Sequence, residues 1–139
     1  MVDVEKRQLV LVVDDEPSIG KVLRIKLGLS GYEVITTTSG AEAVELVRTQ
    51  EPDVMLLDVL MPGVSGMDVL ERVRVFSKVP VIIFTGRPDI VQIALKLGAN
   101  DYIAKPFDPD LLVDKIRVVL KTNHCVKGCN ANKEENPTC

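Results

Sequence analysis

Short, uninterrupted apolar runs recur along the chain and alternate with amphipathic stretches. Residues 9–13, 54–57 and 81–84 consist entirely of Val, Leu, Ile, Met and Phe, with no alternating polar residues. Such runs are typical of strands that are buried on both faces of a parallel sheet. Shorter runs at 34–37 and 102–104 bring the predicted strands to five.

A helical pattern follows each predicted strand. Ser39 and Glu42 form a capping-box sequence, in which the serine caps a helix and the glutamate reaches back to it. Asp108 and Pro109 supply an N-cap and a first-turn proline for the last helix, whose apolar pattern ends at Thr122. The predicted helices cover residues 17–29, 40–51, 67–75, 90–97 and 109–122. Five strand–helix units indicate an α/β fold, an open three-layer sandwich with a parallel five-stranded sheet between helices.

Composition narrows the class of protein. The 139 residues suffice for one domain with a proper core, and 46% of them are hydrophobic. The apolar runs are too short to cross a membrane, and residues 1–8 lack a signal-peptide pattern, so we expect a cytoplasmic protein. A net charge of −3 and the absence of Trp argue against direct nucleic-acid binding.

The last residues differ from the rest. We expect one domain at 8–122, followed by a flexible polar tail at 123–139 that contains Cys125, Cys129 and Cys139 beside His124. Their spacing matches no usual zinc pattern, so unremarkable thiols are the favoured interpretation and a metal or redox role the alternative. The tail is too short for a further domain, which leaves a stand-alone domain or a piece of a larger protein.

Polar residues stand where predicted strands end: Asp14 and Asp15 after the first, Asp58 after the third, Thr85 after the fourth and Lys105 after the fifth. The carboxyl ends of parallel strands meet at one crevice. Two carboxylates about 5 Å apart repel by roughly 3 kcal/mol at an effective dielectric of about 20, so a cation is expected among them. Oxygen ligands favour Mg²⁺. Because a carboxylate can attack a phosphoryl group, these residue types suggest an aspartate that accepts phosphate.

Four segments resemble the signature of the receiver domain of two-component response regulators, of the chemotaxis-regulator type. They are the Asp pair, residues 58–63 (DVLMPG), Thr85-Gly86 and residues 101–107 (DYIAKPF), and the resemblance covers about residues 8–122. It implies a flavodoxin-like fold with strand order 2-1-3-4-5.

The resemblance also implies a metal site and a phosphoacceptor. Asp58 would receive the phosphoryl group from a sensor histidine kinase. Asp15 and Asp58 would bind Mg²⁺ directly, Asp14 mainly through water, and the backbone carbonyl of Leu60 would be a third protein ligand. The protein would then be no enzyme in the strict sense, but a phosphoacceptor that assists its own phosphorylation and dephosphorylation.

The remaining implied roles concern the phosphoryl group and the switch. Thr85 would hydrogen-bond the group and move towards it, and Lys105 would form an ion pair with it. Tyr102 would turn inward as an aromatic switch, although a plain half-buried strand aromatic is the alternative. The Lys105–Pro106 bond would be cis. The output face would be the fourth helix, fifth strand and fifth helix, which would also suit a homodimer; the effector is not predicted.

Two features depart from the family pattern. The stretch from Thr85 to Gly98 is shorter than usual and contains Pro88, which predicts a stiffer loop and a shorter fourth helix. Leu60 and Arg87 occupy positions that vary in the family and influence phosphoryl lifetime. Since Leu60 cannot orient a water by hydrogen bonding and Arg87 would shield the phosphate, slow self-hydrolysis is expected.

Other functions remain open on the sequence alone. A phosphorelay intermediate or phosphate sink would use the same chemistry without an output of its own. A pseudo-receiver would signal by contact only, although all five site residues are present. A small metal-dependent phosphatase would use Asp15 as nucleophile, but it typically has a second Asp two residues on, where this chain has Pro17.

Overall fold

A single parallel sheet forms the centre of the molecule. The computed structural model describes residues 7–59 and 65–128, the last six of these by backbone only. The strands, in sheet order β2-β1-β3-β4-β5, are all parallel. Their bounds are β1 (Leu9–Val13), β2 (Glu33–Thr37), β3 (Val54–Asp58), β4 (Val81–Thr85) and β5 (Asp101–Ala104). The predicted fold class and strand order are confirmed.

Helices cover both faces of the sheet. They are α1 (Pro17–Leu29), α2 (Gly40–Gln50), α3 (Gly66–Phe76), α4 (Val91–Lys96) and α5 (Pro109–Gly128). Buried side chains from α1 and α5 pack on one face, and those from α2, α3 and α4 pack on the other. Every residue of β3 and β4 is buried, which explains why these strands have no polar alternation.

The structure differs from the helix prediction in three respects, apart from one-residue shifts at the ends of α2 and α3. The predicted helix at 90–97 is a six-residue α4 preceded by a 3-10 turn, Pro88–Ile90, whose first position tolerates proline. The last helix passes its predicted end at residue 122 and reaches Gly128, a residue type that favours helix ends. The domain boundary at 122 itself stays a prediction.

The third difference concerns the start of α2. Ser39 Oγ accepts a hydrogen bond from the Glu42 amide at 3.1 Å, as predicted, so the serine caps the helix. The Glu42 carboxylate, however, accepts its hydrogen bond from the Thr37 hydroxyl rather than from the Ser39 amide. Thr37 Oγ1 in turn accepts the Ser39 N–H at 3.1 Å. The threonine therefore takes the place that a capping box gives to the glutamate.

Two further observations complete the fold. The Lys105–Pro106 peptide bond is cis, as predicted. Of the helices in the described part of the chain, none is long and apolar enough to cross a bilayer.

Candidate functional site

Three carboxylates meet at the carboxyl edge of the sheet. Asp58 is the last residue of β3, and Asp14 follows β1 directly; both are buried, whereas Asp15 is exposed. One oxygen from each lies within 4.8 Å of the others. Because β1 and β3 are neighbours in register, strand pairing alone brings the two buried carboxylates together. The predicted acidic cluster is therefore present.

Lys105 reaches this cluster from the far edge of the sheet. Its Nζ lies 2.9 Å from Asp14 Oδ2 and 3.3 Å from Asp58 Oδ2, and 4.9 Å from the ring centroid of the buried Phe84. Burial alone would lower the pKa of Lys105, but the hydrogen bond to Asp14 and the attraction of Asp58 and Asp14 together raise it. The lysine is therefore a fixed positive charge at neutral pH.

Asp14 is held by hydrogen bonds on both carboxylate oxygens. Oδ1 accepts the Glu16 amide at 2.8 Å, and Oδ2 accepts the Lys105 ammonium. Its own amide donates to the Thr37 carbonyl at 3.2 Å, which continues the β1–β2 pairing by one residue. This carboxylate therefore has a fixed orientation towards the cluster.

Thr85 lies beside the cluster at the end of β4. It is buried, and its Oγ1 accepts the Arg87 amide at 2.9 Å. The Lys105 amide donates to the Thr85 carbonyl at 2.9 Å, so the hydroxyl and the lysine come from adjacent strand ends. Asp58 pairs with Phe84, the residue before Thr85, so the hydroxyl lies one residue beyond the carboxylate on the next strand.

Tyr102 lies on the outer strand, β5, two strands from the β3 strand that carries Asp58. Its side chain is 42% exposed, and Lys115 Nζ is 5.9 Å from its ring centroid. Lys115 also pairs with Asp101 at 3.3 Å. The tyrosine is therefore part of the surface formed with α5, and the choice between a switch and a plain strand aromatic stays open.

A scan against family models identifies residues 10–117 as a response regulator receiver domain. The chain belongs to the receiver domain family of response regulators. This receiver domain places Asp14, Asp15, Asp58, Thr85 and Lys105 together at one sheet edge, as the sequence predicted.

Curated relatives of this receiver domain are longer proteins. It is 43% identical over 122 residues to "Probable transcriptional regulator ycf27" of Guillardia theta, which aligns over 86% of this chain and 48% of that protein. It is 41% identical over 119 residues to "DNA-binding response regulator MtrA" of Mycolicibacterium smegmatis, which aligns over 84% of this chain and 52% of that protein. The chain thus spans about half the length of these relatives.

Solved structures show the same fold. The receiver domain of a Francisella response regulator superposes with a TM-score of 0.79 at 30% identity, covering 84% of this chain and 99% of that one. The superposition covers nearly the whole Francisella domain, so the similarity concerns the five-stranded sheet and its helices rather than one motif.

Some predicted site residues lie outside the described part of this receiver domain. They are Leu60, Cys129 and Cys139 and, for their side chains only, His124 and Cys125. Sequence reasoning also missed one residue near the site, Gly66, which begins α3. A Cβ there would overlap the backbone of Asp58 and Val59, and its amide donates to the Val59 carbonyl at 3.2 Å. The glycine thus allows α3 to begin against the end of β3.

Proposed function

We propose that Asp58 accepts a phosphoryl group from the phosphohistidine of a sensor histidine kinase and that the domain thereby switches state. One observation carries this proposal: a buried carboxylate on the central strand lies beside two further carboxylates and one lysine, within 4.8 Å and 3.3 Å respectively. Membership of the receiver domain family supports the same chemistry.

The transfer needs a nucleophile and a leaving group. An Asp58 carboxylate oxygen attacks phosphorus, a P–O bond forms, and the P–N bond to the histidine breaks. The histidine ring, which carries a proton on its other nitrogen, leaves as neutral imidazole, and an acyl phosphate remains on Asp58. Hydrolysis, in which a water oxygen attacks phosphorus, breaks the new P–O bond and returns the Asp58 carboxylate and inorganic phosphate. Positioning and charge neutralisation supply most of the catalysis in phosphoryl transfer, so few groups are required.

The donor set fits a hard divalent cation. Asp15 is exposed at the cluster and is the candidate direct ligand, whereas both oxygens of Asp14 already accept hydrogen bonds, which favours contact through water. Mg²⁺ retains several waters and uses one or two carboxylates, as this arrangement allows. When bound, Mg²⁺ would neutralise charge on the phosphoryl oxygens. The Leu60 carbonyl stays a proposed ligand.

Lys105 and Thr85 are the proposed phosphoryl-binding residues. The Lys105 ammonium now divides its hydrogen bonds between Asp14 and Asp58, so it lies where a phosphoryl oxygen on Asp58 would need a cation. The Thr85 hydroxyl currently accepts the Arg87 amide and retains its own proton to donate. Its movement towards the phosphoryl group would carry the β4–α4 connection with it.

The proposed output is the surface made by α4, β5 and α5, which includes the exposed Tyr102 ring. The relatives' names describe DNA-binding and transcriptional regulators, so we propose control of transcription as the eventual readout, with the receiver itself making no contact with DNA. A homodimer through this surface is part of the same proposal. A phosphorelay intermediate without its own output is the second candidate.

Intact mass after incubation with a small phosphodonor and Mg²⁺ tests the phosphoacceptor. We expect the wild type to gain one phosphoryl group and Asp58→Asn to gain none, because the amide is not a nucleophile of this kind. Asp15→Asn should gain less than the wild type, since it retains the nucleophile but loses a cation ligand.

Each other result has a distinct meaning. No gain in the wild type would favour a pseudo-receiver that signals by contact. A gain that persists in Asp58→Asn and disappears in Asp15→Asn would make Asp15 the acceptor and favour the phosphatase-type alternative.

A further inference from the structure

The connection between β4 and α4 contains an ion pair that joins residues two apart. Arg87 Nε donates to Asp89 Oδ1 at 3.0 Å, and Arg87 Nη2 donates to Asp89 Oδ2 at 2.7 Å. Pro88 lies between them and begins the 3-10 turn that leads into α4. The guanidinium therefore binds the carboxylate in the two-pronged geometry that it also prefers with phosphate groups.

This pair is attached to the phosphoacceptor edge of the sheet. The Arg87 amide donates to Thr85 Oγ1 at 2.9 Å, and Thr85 follows Phe84, the register partner of Asp58. A long, flexible cation is thus tethered two residues from the proposed phosphoryl-binding hydroxyl, while its charged end faces Asp89 instead.

The charge balance at this edge changes on phosphorylation. In the described structure, three carboxylates lie close together, and Lys105 bridges two of them, Asp14 and Asp58. A phosphoryl group on Asp58 brings a charge of about −1.5 to −2 and three strong acceptor oxygens. Lys105 already has two carboxylate partners, so the modified site attracts further cations, and an arginine side chain would act there beside the proposed Mg²⁺.

We propose that Arg87 is a second cation for the phosphoryl group and that the Asp89 carboxylate competes with this group for Arg87. The exchange of Arg87 between these two partners then sets how tightly the site holds a phosphoryl-type group. This inference rests on the proposed function of Asp58. It assigns Asp89 as a positioning residue that acts only through Arg87.

The exposure of the pair makes the exchange feasible. The side chains of Arg87 and Asp89 are 56% and 62% exposed, so water and salt screen their attraction and little holds them together. The hydrogen bond from Arg87 lowers the pKa of the Asp89 carboxyl, which therefore stays an anion, and a true competitor, at neutral pH. Asp89 belongs to the 3-10 turn before α4, so loss of its ion pair with Arg87 also affects the start of α4, which is part of the proposed output surface.

Binding of beryllium trifluoride tests the exchange at equilibrium. This anion adds to a carboxylate and places three fluorines where phosphoryl oxygens would lie. Its dissociation constant with Mg²⁺ present follows from the rise of the melting temperature with its concentration. We expect Asp89→Asn to bind it about two- to fivefold more tightly and Arg87→Gln about two- to fivefold more weakly, the range expected for one exposed ion pair.

The double variant separates exchange from simple loss of a negative charge. In the Arg87→Gln background, Asp89→Asn should have no further effect, whereas a general electrostatic effect of the carboxylate would persist there. Asp114→Asn is the matched control, since Asp114 forms an equally exposed pair with Arg117 on α5, and it should bind as the wild type does.

The outcomes divide cleanly. Three results would overturn the exchange while leaving the phosphoacceptor intact. Asp89→Asn could bind beryllium trifluoride as tightly as the wild type does, Asp89→Asn could still tighten binding in the Arg87→Gln background, or Asp114→Asn could tighten binding as much as Asp89→Asn does. No binding by the wild type, or unchanged binding by Asp58→Asn, would overturn the proposed function and this inference together. Both exposed variants should fold as the wild type does, which the unfolding transition without beryllium verifies.

Discussion

Lys105 pairs with two buried carboxylates. Asp14 and Asp58 are 2% and 4% exposed, and within the described residues Lys105 contacts both. Water cannot substitute fully for the lysine at such buried oxygens, so its loss would leave a desolvated pair of like charges. The proposed chemistry of the site and the stability of the fold therefore depend on the same ammonium group.

Lys105→Met should lower the free energy of unfolding by about 2–4 kcal/mol near neutral pH, because the two carboxylates lose their cation. The pKa of Lys105 is raised in the folded protein, so its contribution is complete below the ordinary lysine value of 10.5 and is lost as pH rises through the higher folded value. Urea unfolding of wild type and variant from about pH 8 to about pH 11 should show the two curves converging only at the alkaline end.

The exposed Lys121→Met is the control and should differ from the wild type by less than about 0.5 kcal/mol throughout. A wild-type advantage over Lys105→Met that vanished already near pH 8 would contradict the assigned partners.

An arginine joins α3 to the loop that ends α4. Arg74 donates from Nε and Nη2 to the Gly98 carbonyl at 3.2 and 2.9 Å, and from Nη2 to Asn100 Oδ1 at 3.1 Å. Asn100 Oδ1 also accepts the Val81 amide at 2.8 Å. The acceptors are neutral oxygens, and burial lowers the pKa of Arg74. The far end of α4 is thus fixed, while its first turn adjoins the Arg87–Asp89 pair.

Gly98→Ala should destabilise the protein by about 1–3 kcal/mol, since Gly98 has φ +113° and an added Cβ would lie 2.9 Å from Arg74 Nε. Gly31→Ala isolates the backbone cost, because Gly31 has φ +99° and open space around its Cβ position. Gly28→Ala in α1 meets neither obstacle and should stabilise slightly. Chemical denaturation of the three variants should rank them in that order, and equal costs at residues 98 and 31 would contradict the packing against Arg74.

Element types and the site were predictable from the sequence for one physical reason. Strands buried on both faces must be continuously apolar, so the first polar residue marks each strand end, and parallel pairing gathers those ends. Asp14, Asp58, Thr85 and Lys105 were found in this way. Arg74, Asp89 and Gly66 were not, because their roles depend on contacts between elements or on the path of a loop, which leave no local pattern. The end of α5 was missed because residues 123–128 have no apolar period in the sequence.

At the scale of the whole molecule, the acidic cluster predicts that the melting temperature depends on Mg²⁺. Mg²⁺ should raise the melting temperature of the wild type, since it binds the folded cluster and not the unfolded chain. In metal-free buffer, Asp58→Asn should melt about 3–8 °C higher than the wild type, because one of three mutually repelling carboxylates is neutralised. Differential scanning calorimetry with and without Mg²⁺ measures both shifts.

Asp114→Asn, which alters an exposed carboxylate, should change the melting temperature little in either buffer. If neither Mg²⁺ nor Asp58→Asn changed it, the three carboxylates would not share one site.

The contact between Lys105 and Asp14 joins residues 91 positions apart, from the first strand and the last. The three acidic residues precede the lysine in the sequence, so during synthesis they leave the ribosome before β5 does. The proposed phosphoacceptor site therefore gains its lysine only when the last strand joins the sheet.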